Sequence, residues 1–300
     1  MPSFTSSSEA GFALRLALWA GAFTALGCVL ARLADGSPVF DRIHQMPQFE
    51  LAGAVEQFER DPHQASIILL GSSAARELPP EDRQRQGVFT MSLLGYSSLL
   101  GLEVLARSDA APKLVLVEGT LGFRHVPADI LADETDALPR GLHAALPITQ
   151  ARFHWLNLLW LGCLPLEPEL FTPAMPWPDW RAHRRPWLGL GLAAFTTPYA
   201  VKNLAQADQR IARYRELIGV LERRGTRVVF YDLPVDPEIQ ALPAYVEWQD
   251  EIHAAFADHA WLADAPEGYY LYDGIHFTSG SGERFFDLLM QGAEARPPGP

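Results

Sequence analysis

Short apolar runs that alternate with helix-like segments constrain the fold of this chain more than any other feature. Runs of about four to eight apolar residues between turn residues are typical of strands that are buried on both faces of a sheet. Such runs occupy residues 66–70, 88–93, 114–117 and 228–231. We therefore predict buried β-strands at these positions.

The segments between the runs carry the periodicity of amphipathic helices. In residues 208–224, apolar side chains recur at helical spacing, and Gly225 follows as a C-terminal stop. Further helices are predicted by residues 99–105, by residues 282–291 and by the spacing of Tyr245, Trp248, Ile252 and Phe256. Because strands separated by helices form parallel sheets with helices on both faces, we predict an α/β fold, a three-layer α/β/α sandwich.

Composition excludes several classes of protein. Hydrophobic residues are 48% and charged residues 20% of the 300 positions, a profile typical of a packed globular chain. The chain has 24 Lys and Arg against 36 Asp and Glu, which argues against a nucleic-acid partner because phosphate binding needs clustered basic residues. Cys28 and Cys163 are the two cysteines, so we expect no disulfide framework and no cysteine-based metal site. We expect no cofactor and no metal.

The N-terminal segment has the pattern of a membrane anchor. Residues 16–31 contain no charge, and residues 11–14 lengthen the apolar run if Arg15 snorkels to the interface. We predict that residues 1–33 form a single anchor and that the rest of the chain lies outside the cytoplasm. A cleaved signal peptide, a lipoprotein processed at Cys28 and a buried helix of a soluble protein are the alternatives.

Residues 34–296 are predicted to form one extracytoplasmic domain with an insertion. Between about residues 120 and 205 the strand and helix pattern loosens and Pro and Trp become frequent. We interpret this part as an irregular insertion at the carboxyl edge of the sheet, where α/β folds bind ligands. Residues 155–166 and 187–195 are apolar enough to contact a membrane or a partner, and a small separate core explains them equally well.

Gly71-Ser72-Ser73 is the first motif that can carry chemistry. It follows the first predicted strand directly. A serine on a strand-to-helix turn has an exposed hydroxyl, and its amide can help to stabilise an oxyanion. The structural alternative for Ser73 is an ordinary turn and helix cap.

The Asp-x-x-His pattern, which can supply a base and its orienting carboxylate, occurs three times. The copies are Asp41/His44, Asp250/His253 and Asp273/His276. The first lies beside the anchor, and the second lies in an amphipathic helix, where we expect it on the solvated face. The third precedes the final helix in a loop, from which its side chains can project over the strand ends. We therefore assign Asp273 and His276 as orienter and base for Ser73.

These blocks together resemble the SGNH (GDSL-type) hydrolase superfamily. The matching order is Gly71-Ser72-Ser73, then Gly95 after the second strand, then Asp273-Gly-Ile-His276-Phe-Thr before the last helix. The resemblance implies a mostly parallel five-stranded sheet, Ser73 as nucleophile, and Asp273 and His276 as its partners. It also implies that the amides of Ser73 and Gly95 help to form the oxyanion hole.

One block departs from the superfamily. Members usually have Gly-x-Asn-Asp after the third strand, whereas this chain has Gly119-Thr-Leu121-Gly. Leu121 has no side-chain donor, and the loss of an oxyanion donor typically costs about 2.7–4 kcal/mol of transition-state stabilisation.

The anchor and the insertion narrow the resemblance to a subset of the superfamily. These are the membrane-anchored extracytoplasmic proteins that partner membrane-bound O-acyltransferases. The resemblance implies transfer of an acyl group, with acetyl as the expected one, to or from an extracellular polysaccharide. It also implies a single-pass protein of the bacterial inner membrane whose main domain is periplasmic. The alternatives are a simple periplasmic carboxylesterase and a catalytically impaired scaffold that binds glycan or an export or synthase partner.

Overall fold

A computed structural model describes most of the chain. The described residues are 7–34, 54–55, 57–59, 61–63, 65–75, 78, 87–93, 96–126, 146, 180–262 and 268–295. The chain divides into two compact units, Met1–Phe49 with Asp136–Phe171 and Glu50–Thr135 with Thr172–Pro300.

Helix α1 (Ser7–Ala34) belongs to the first unit. Six of its described large apolar side chains are between 54% and 67% exposed: Leu14, Leu18, Trp19, Phe23, Leu26 and Val29. Within the described ranges, no helix is both long enough and apolar enough to cross a membrane.

The second unit contains a five-stranded sheet in which all neighbouring strands are parallel, in the order β2-β1-β3-β4-β5. The strands are β1 (Ile67–Ser72), β2 (Val88–Leu93), β3 (Leu114–Glu118), β4 (Arg227–Tyr231) and β5 (Ala260–Trp261). The helices described with it are α2 (Ser98–Arg107), α3 (Trp180–Thr196), α4 (Pro198–Leu204), α5 (Ala207–Arg223), α6 (Pro237–Gln240), α7 (Pro243–Ala255) and α8 (Ser279–Ala295). The prediction of an α/β fold with a mostly parallel five-stranded sheet is confirmed.

The first four strands lie where the apolar runs predict them. The fifth, β5, has two residues and is too short to leave a pattern in the sequence. Residues of β1 and β3 that form the centre of the sheet are fully buried, as continuous apolar runs require. The carboxyl ends of these neighbouring strands therefore place Ser72 and Glu118 next to each other.

Of the predicted insertion, residues 180–204 are described as helical, residues 120–126 form turns without a helix, and most of the rest lies outside the described residues. Helices α3 and α4 cover residues 180–204 with a break of one residue, Thr197. Pro198 looks like a helix breaker, but it occupies the first turn of α4, where a missing N–H costs nothing. The Thr197 side chain caps α4 by accepting a hydrogen bond from the Ala200 amide at 3.2 Å.

Candidate active site

Ser73 opens a single 3₁₀ turn, Ser73–Ala75, directly after β1. The turn folds back so closely that a Cβ atom on Gly71 would collide with the side chain of Ala75, so only glycine fits at position 71. Ser72 Oγ accepts a hydrogen bond from the Ala74 amide at 3.1 Å and stabilises the turn. The Ser73 side chain was expected to be exposed, but Ser73 is only 5% exposed because the loop with His276 lies against it.

The loop between β5 and α8 presents Asp273 and His276. Its two arms pair through an antiparallel bridge between Leu271 and Phe277 and a 3.0 Å hydrogen bond from the Tyr272 amide to the His276 carbonyl. At its tip, Asp273 Oδ1 accepts hydrogen bonds from the amides of Ile275, at 3.0 Å, and His276, at 2.8 Å. An aspartate that bonds its own backbone in this way stabilises a tight turn. The local sequence therefore builds the turn that holds the Asp273 carboxylate.

Ser73, His276 and Asp273 form a continuous chain of hydrogen bonds. His276 Nε2 lies 3.0 Å from Ser73 Oγ, and His276 Nδ1 lies 2.6 Å from Asp273 Oδ2. The residues are separated by 203 positions in the chain, so only the fold brings them together. The structure thus brings together the three residues assigned from the sequence.

The electrostatics of Asp273 decide which ring nitrogen of His276 carries a proton. Burial acts to raise the pKa of Asp273, but hydrogen bonds and charge from His276 and the Ile275 amide outweigh it, and that pKa is lowered from its ordinary value. An ionised carboxylate only accepts hydrogen bonds, so His276 Nδ1 carries the proton. In the neutral ring, Nε2 is then the acceptor for the Ser73 hydroxyl proton. This is the geometry of a serine and its general base.

Glu118, which the sequence analysis did not select, lies directly beneath the serine turn. Its carboxylate accepts hydrogen bonds from the Ser72 amide at 2.5 Å, from Ser72 Oγ at 3.1 Å and from the Leu121 amide at 3.1 Å. Burial raises the pKa of Glu118, and the hydrogen bonds from Ser72 oppose that shift. The sequence signal that could have indicated Glu118 is its position, since it is a charged residue at the end of a buried apolar run.

The predicted oxyanion donors are only partly described. Ser73 is described, whereas Gly95 lies outside the described residues. Leu121 is fully buried in the core, and its amide donates to Glu118. Position 121 therefore supplies no donor to the site through either its side chain or its amide.

The other Asp-x-x-His copies have different surroundings. Asp41 and His44 lie outside the described residues. His253 does not merely face solvent as expected, since its Nε2 lies 2.5 Å from Asp232 Oδ2. Its ring also stacks on Trp261, with centroids 3.8 Å apart. The partner of His253 is thus an aspartate from the end of β4, because the helix directs Asp250 to solvent.

Among the residues described, no group of three or more His, Cys, Asp or Glu side chains is arranged to hold a metal ion. Comparison with known proteins gives no relative for this chain: no family model, no curated protein and no solved structure matches it.

Proposed function

We propose that this protein is an SGNH-like acyltransferase that moves an acyl group, with acetyl as the best candidate, to or from an extracellular polysaccharide. The observation that carries the proposal is the hydrogen-bonded series Asp273–His276–Ser73 at the carboxyl edge of a parallel sheet. We also propose the three-layer arrangement of the superfamily for the domain.

The chemistry has two balanced steps. Ser73 Oγ attacks the acyl carbonyl while His276 Nε2 takes the hydroxyl proton, and the departing alcohol leaves with that proton from His276. The acyl group is then an ester on Ser73. A sugar hydroxyl next attacks this ester, gives its proton to His276, and restores the Ser73 hydroxyl when the acylated sugar departs. Asp273 keeps the ring oriented and stabilises its transient positive charge.

The oxyanion of each step needs donors from the backbone. We assign this role to the amides of Ser73 and Gly95. The missing donor at Leu121 makes the enzyme slower than a full set would, by about 10²–10³-fold on the scale of a single lost donor.

The proposed setting is the bacterial inner membrane, with the main domain in the periplasm. Support comes from α1, a helix of 28 residues in which the described large apolar side chains, between Leu14 and Val29, are exposed. A helix that is apolar on its exposed surface needs an apolar environment. A membrane-bound O-acyltransferase is the proposed acyl donor partner.

The test uses a covalent intermediate. The full-length protein is mixed with 4-nitrophenyl acetate, and the acetylated serine is located by mass spectrometry of peptides. We expect an acetyl group on Ser73 in the wild type and none in Ser73→Ala or His276→Ala. His253→Ala is the matched control, because His253 also pairs with an aspartate, Asp232, and we expect it to acetylate normally.

The outcomes separate the candidate functions. An acetyl-Ser73 intermediate that passes to added oligosaccharide supports transfer. Transfer of the acetyl group from Ser73 to water alone indicates that the protein is a carboxylesterase. Absence of the intermediate, together with normal polymer acylation in cells that carry Ser73→Ala, rules out covalent catalysis and leaves the scaffold function.

A further inference from the structure

Tyr272 lies opposite His276 in the hairpin that presents the candidate base. The bridge between Leu271 and Phe277 and the hydrogen bond from the Tyr272 amide to the His276 carbonyl make residues 272 and 276 a directly opposed pair. Side chains of opposed residues lie on the same face of an antiparallel pair, with Cβ atoms about 5 Å apart. Leu271 and Phe277 are buried on one face, so Tyr272 and His276 lie together on the other.

The loop between the two arms of the hairpin fixes this pairing. It consists of three residues, Asp273, Gly274 and Ile275, and Gly274 has a φ of +88°. Three-residue hairpin loops commonly place one residue in the left-handed region, which glycine adopts without strain. Loop length sets which residues of the two arms are opposite each other. The turn that holds the Asp273 carboxylate therefore also places Tyr272 beside His276.

The Tyr272 ring stacks on a face of the His276 imidazole. The ring centroids are 5.4 Å apart and the ring planes are inclined by 17°, which is an offset stack. Asp273 and Ser73 contact the same imidazole along its edge, at Nδ1 and Nε2. These two hydrogen bonds leave the ring free to tilt about the line between its nitrogens, whereas contact with a face opposes tilting. Tyr272 therefore supplies a constraint that the hydrogen bonds do not.

The same contact acts on the charge of His276. In each step of the proposed acyl transfer, the imidazole takes up a proton and becomes positive. The face of an aromatic ring carries negative charge density, so a cation within about 6 Å of the ring centroid is stabilised. The separation of 5.4 Å is within that range. The contact therefore favours the protonated imidazole that forms in the transition state.

We propose that Tyr272 is a positioning residue for acyl transfer, whose ring keeps Nε2 of His276 directed at Ser73 and stabilises the positive charge of the imidazole. The inference rests on the proposed function and adds a fourth residue to the series Asp273–His276–Ser73. The aromatic ring has this role and the hydroxyl group does not, because the ring is what stacks on His276. Tyr272 is 36% exposed, so its ring can be replaced without opening the core.

The charged groups around the hairpin remain the same in the test. Besides Asp273, they are Glu118 at the end of β3, Arg124 in the turn that follows, Asp236 at the N-cap of α6 and Arg284 of α8. The variants below change none of these groups. A difference between the variants therefore reports the side chain at position 272.

Acetylation of Ser73 by 4-nitrophenyl acetate measures the effect on catalysis. Tyr272→Leu keeps an apolar side chain but removes the ring, so we expect acetylation to be slower by about fivefold or more. Tyr272→Phe keeps the ring and should acetylate within about twofold of the wild-type rate. Tyr270→Leu is the matched control and should acetylate normally. Tyr270 lies on the same arm of the hairpin, is 41% exposed, and is held through its backbone by Ser281 and Thr278.

Modification of His276 by diethyl pyrocarbonate gives a second measurement, which does not require catalysis. The reagent attacks the neutral imidazole, so the modification rate rises with pH as the ring loses its proton. Mass spectrometry of peptides isolates the rate at His276. In Tyr272→Leu the charged ring loses its stabilisation, so we expect the midpoint of this rise to move to lower pH by about half a unit. Tyr272→Phe and Tyr270→Leu should keep the wild-type midpoint.

Two results overturn the inference. The first is a Tyr272→Leu protein that acetylates and titrates like Tyr270→Leu. The second is a Tyr272→Phe protein that is impaired as much as Tyr272→Leu, since the hydroxyl group and not the ring would then be responsible.

Failure of the proposed function is a different result. A lower midpoint in Tyr272→Leu, without an acetyl intermediate in the wild type, overturns the proposed function and supports the effect of the ring on His276. An acetyl intermediate that forms equally well in the wild type and in Tyr272→Leu, with the same midpoint in both, overturns this inference alone.

Discussion

The carboxylate of Glu118 links the turn that carries Ser73 to the turn that follows β3. It accepts from the Ser72 amide and hydroxyl on one side and from the Leu121 amide on the other. Each of these donors is buried, so each would be costly to leave unpaired. We infer that Glu118 is a positioning residue, which acts on the nucleophile through Ser72.

Glu118→Gln tests this role at the residue scale. A glutamine side chain has one accepting oxygen and a donating NH₂ group, so at least one buried amide loses its acceptor at a cost of about 1–3 kcal/mol. We expect a lower free energy of unfolding in urea and acetylation of Ser73 slower by about tenfold or more, because the serine turn shifts.

Glu103→Gln is the control for that variant. Glu103 is buried on α2, and both its oxygens lie 2.6 Å from Arg213 of α5. This change should reduce stability while acetylation of the folded protein stays normal. Equal acetylation rates in the two variants would mean that Glu118 has a purely structural role.

At the scale of elements, the contact between α3 and the Asp273 loop is the one that most directly supports the candidate site. Helix α3 is part of the region that the sequence alone marked as irregular. Its residues Leu188, Gly191 and Phe195 are buried and share one face of the helix, at spacings of three and four. This face of α3 packs against the Asp273 loop. Because Gly191 has no side chain, the helix and the Asp273 carbonyl can approach closely.

Gly191→Ala should separate α3 from the loop. The added methyl group collides with backbone, which cannot move away as a flexible side chain does, so we expect a loss of about 1–3 kcal/mol and slower acetylation of Ser73. Gly189→Ala, on the same helix, meets nothing within 4 Å and should gain stability of up to about 1 kcal/mol from helix propensity. Thermal unfolding and acetylation rates measure both effects. A Gly191→Ala protein with wild-type Tm and acetylation would contradict the close contact.

At the scale of the whole molecule, the chain combines an α/β unit with a long apolar helix in a separate unit. The apolar side chains of α1 would expose a large hydrophobic surface to water, which soluble proteins rarely do. The proposed periplasmic transferase uses this helix to stay near its membrane-bound donor.

Alkaline carbonate extraction of membranes from cells that make the full-length protein tests the anchor. If residues 11–31 anchor the protein as proposed, we expect it to remain in the pellet and to be released by detergent. A peripheral membrane protein, which carbonate releases, is the control. Recovery in the soluble fraction, or a mature N-terminus after Ala31, would exclude the anchor.

The sequence by itself indicated strands β1 to β4 and helices α2, α5, α7 and α8 of the α/β unit, and it indicated Ser73, Asp273 and His276 as candidate site residues. Strands β1 to β4 are visible as continuous apolar runs, and helix α5 is visible from apolar residues at helical spacing, because burial determines which nearby positions are apolar. Asp273 and His276 are three positions apart in a loop whose turn depends on local hydrogen bonds. Ser73 follows a strand directly, so its place at the sheet edge follows from the strand itself.

Only the tertiary structure decided which residues support that site. The sheet order, the pairing of His253 with Asp232 and the contact of Glu118 with Ser72 depend on residues that are far apart in the chain. The sequence does not predict helix α3 either, because Pro and Trp interrupt its helical periodicity. Its packing against the Asp273 loop is seen only in the structure. Local propensity and periodicity act over a few residues. These contacts exist only when distant segments are packed together, so no short pattern in the sequence encodes them.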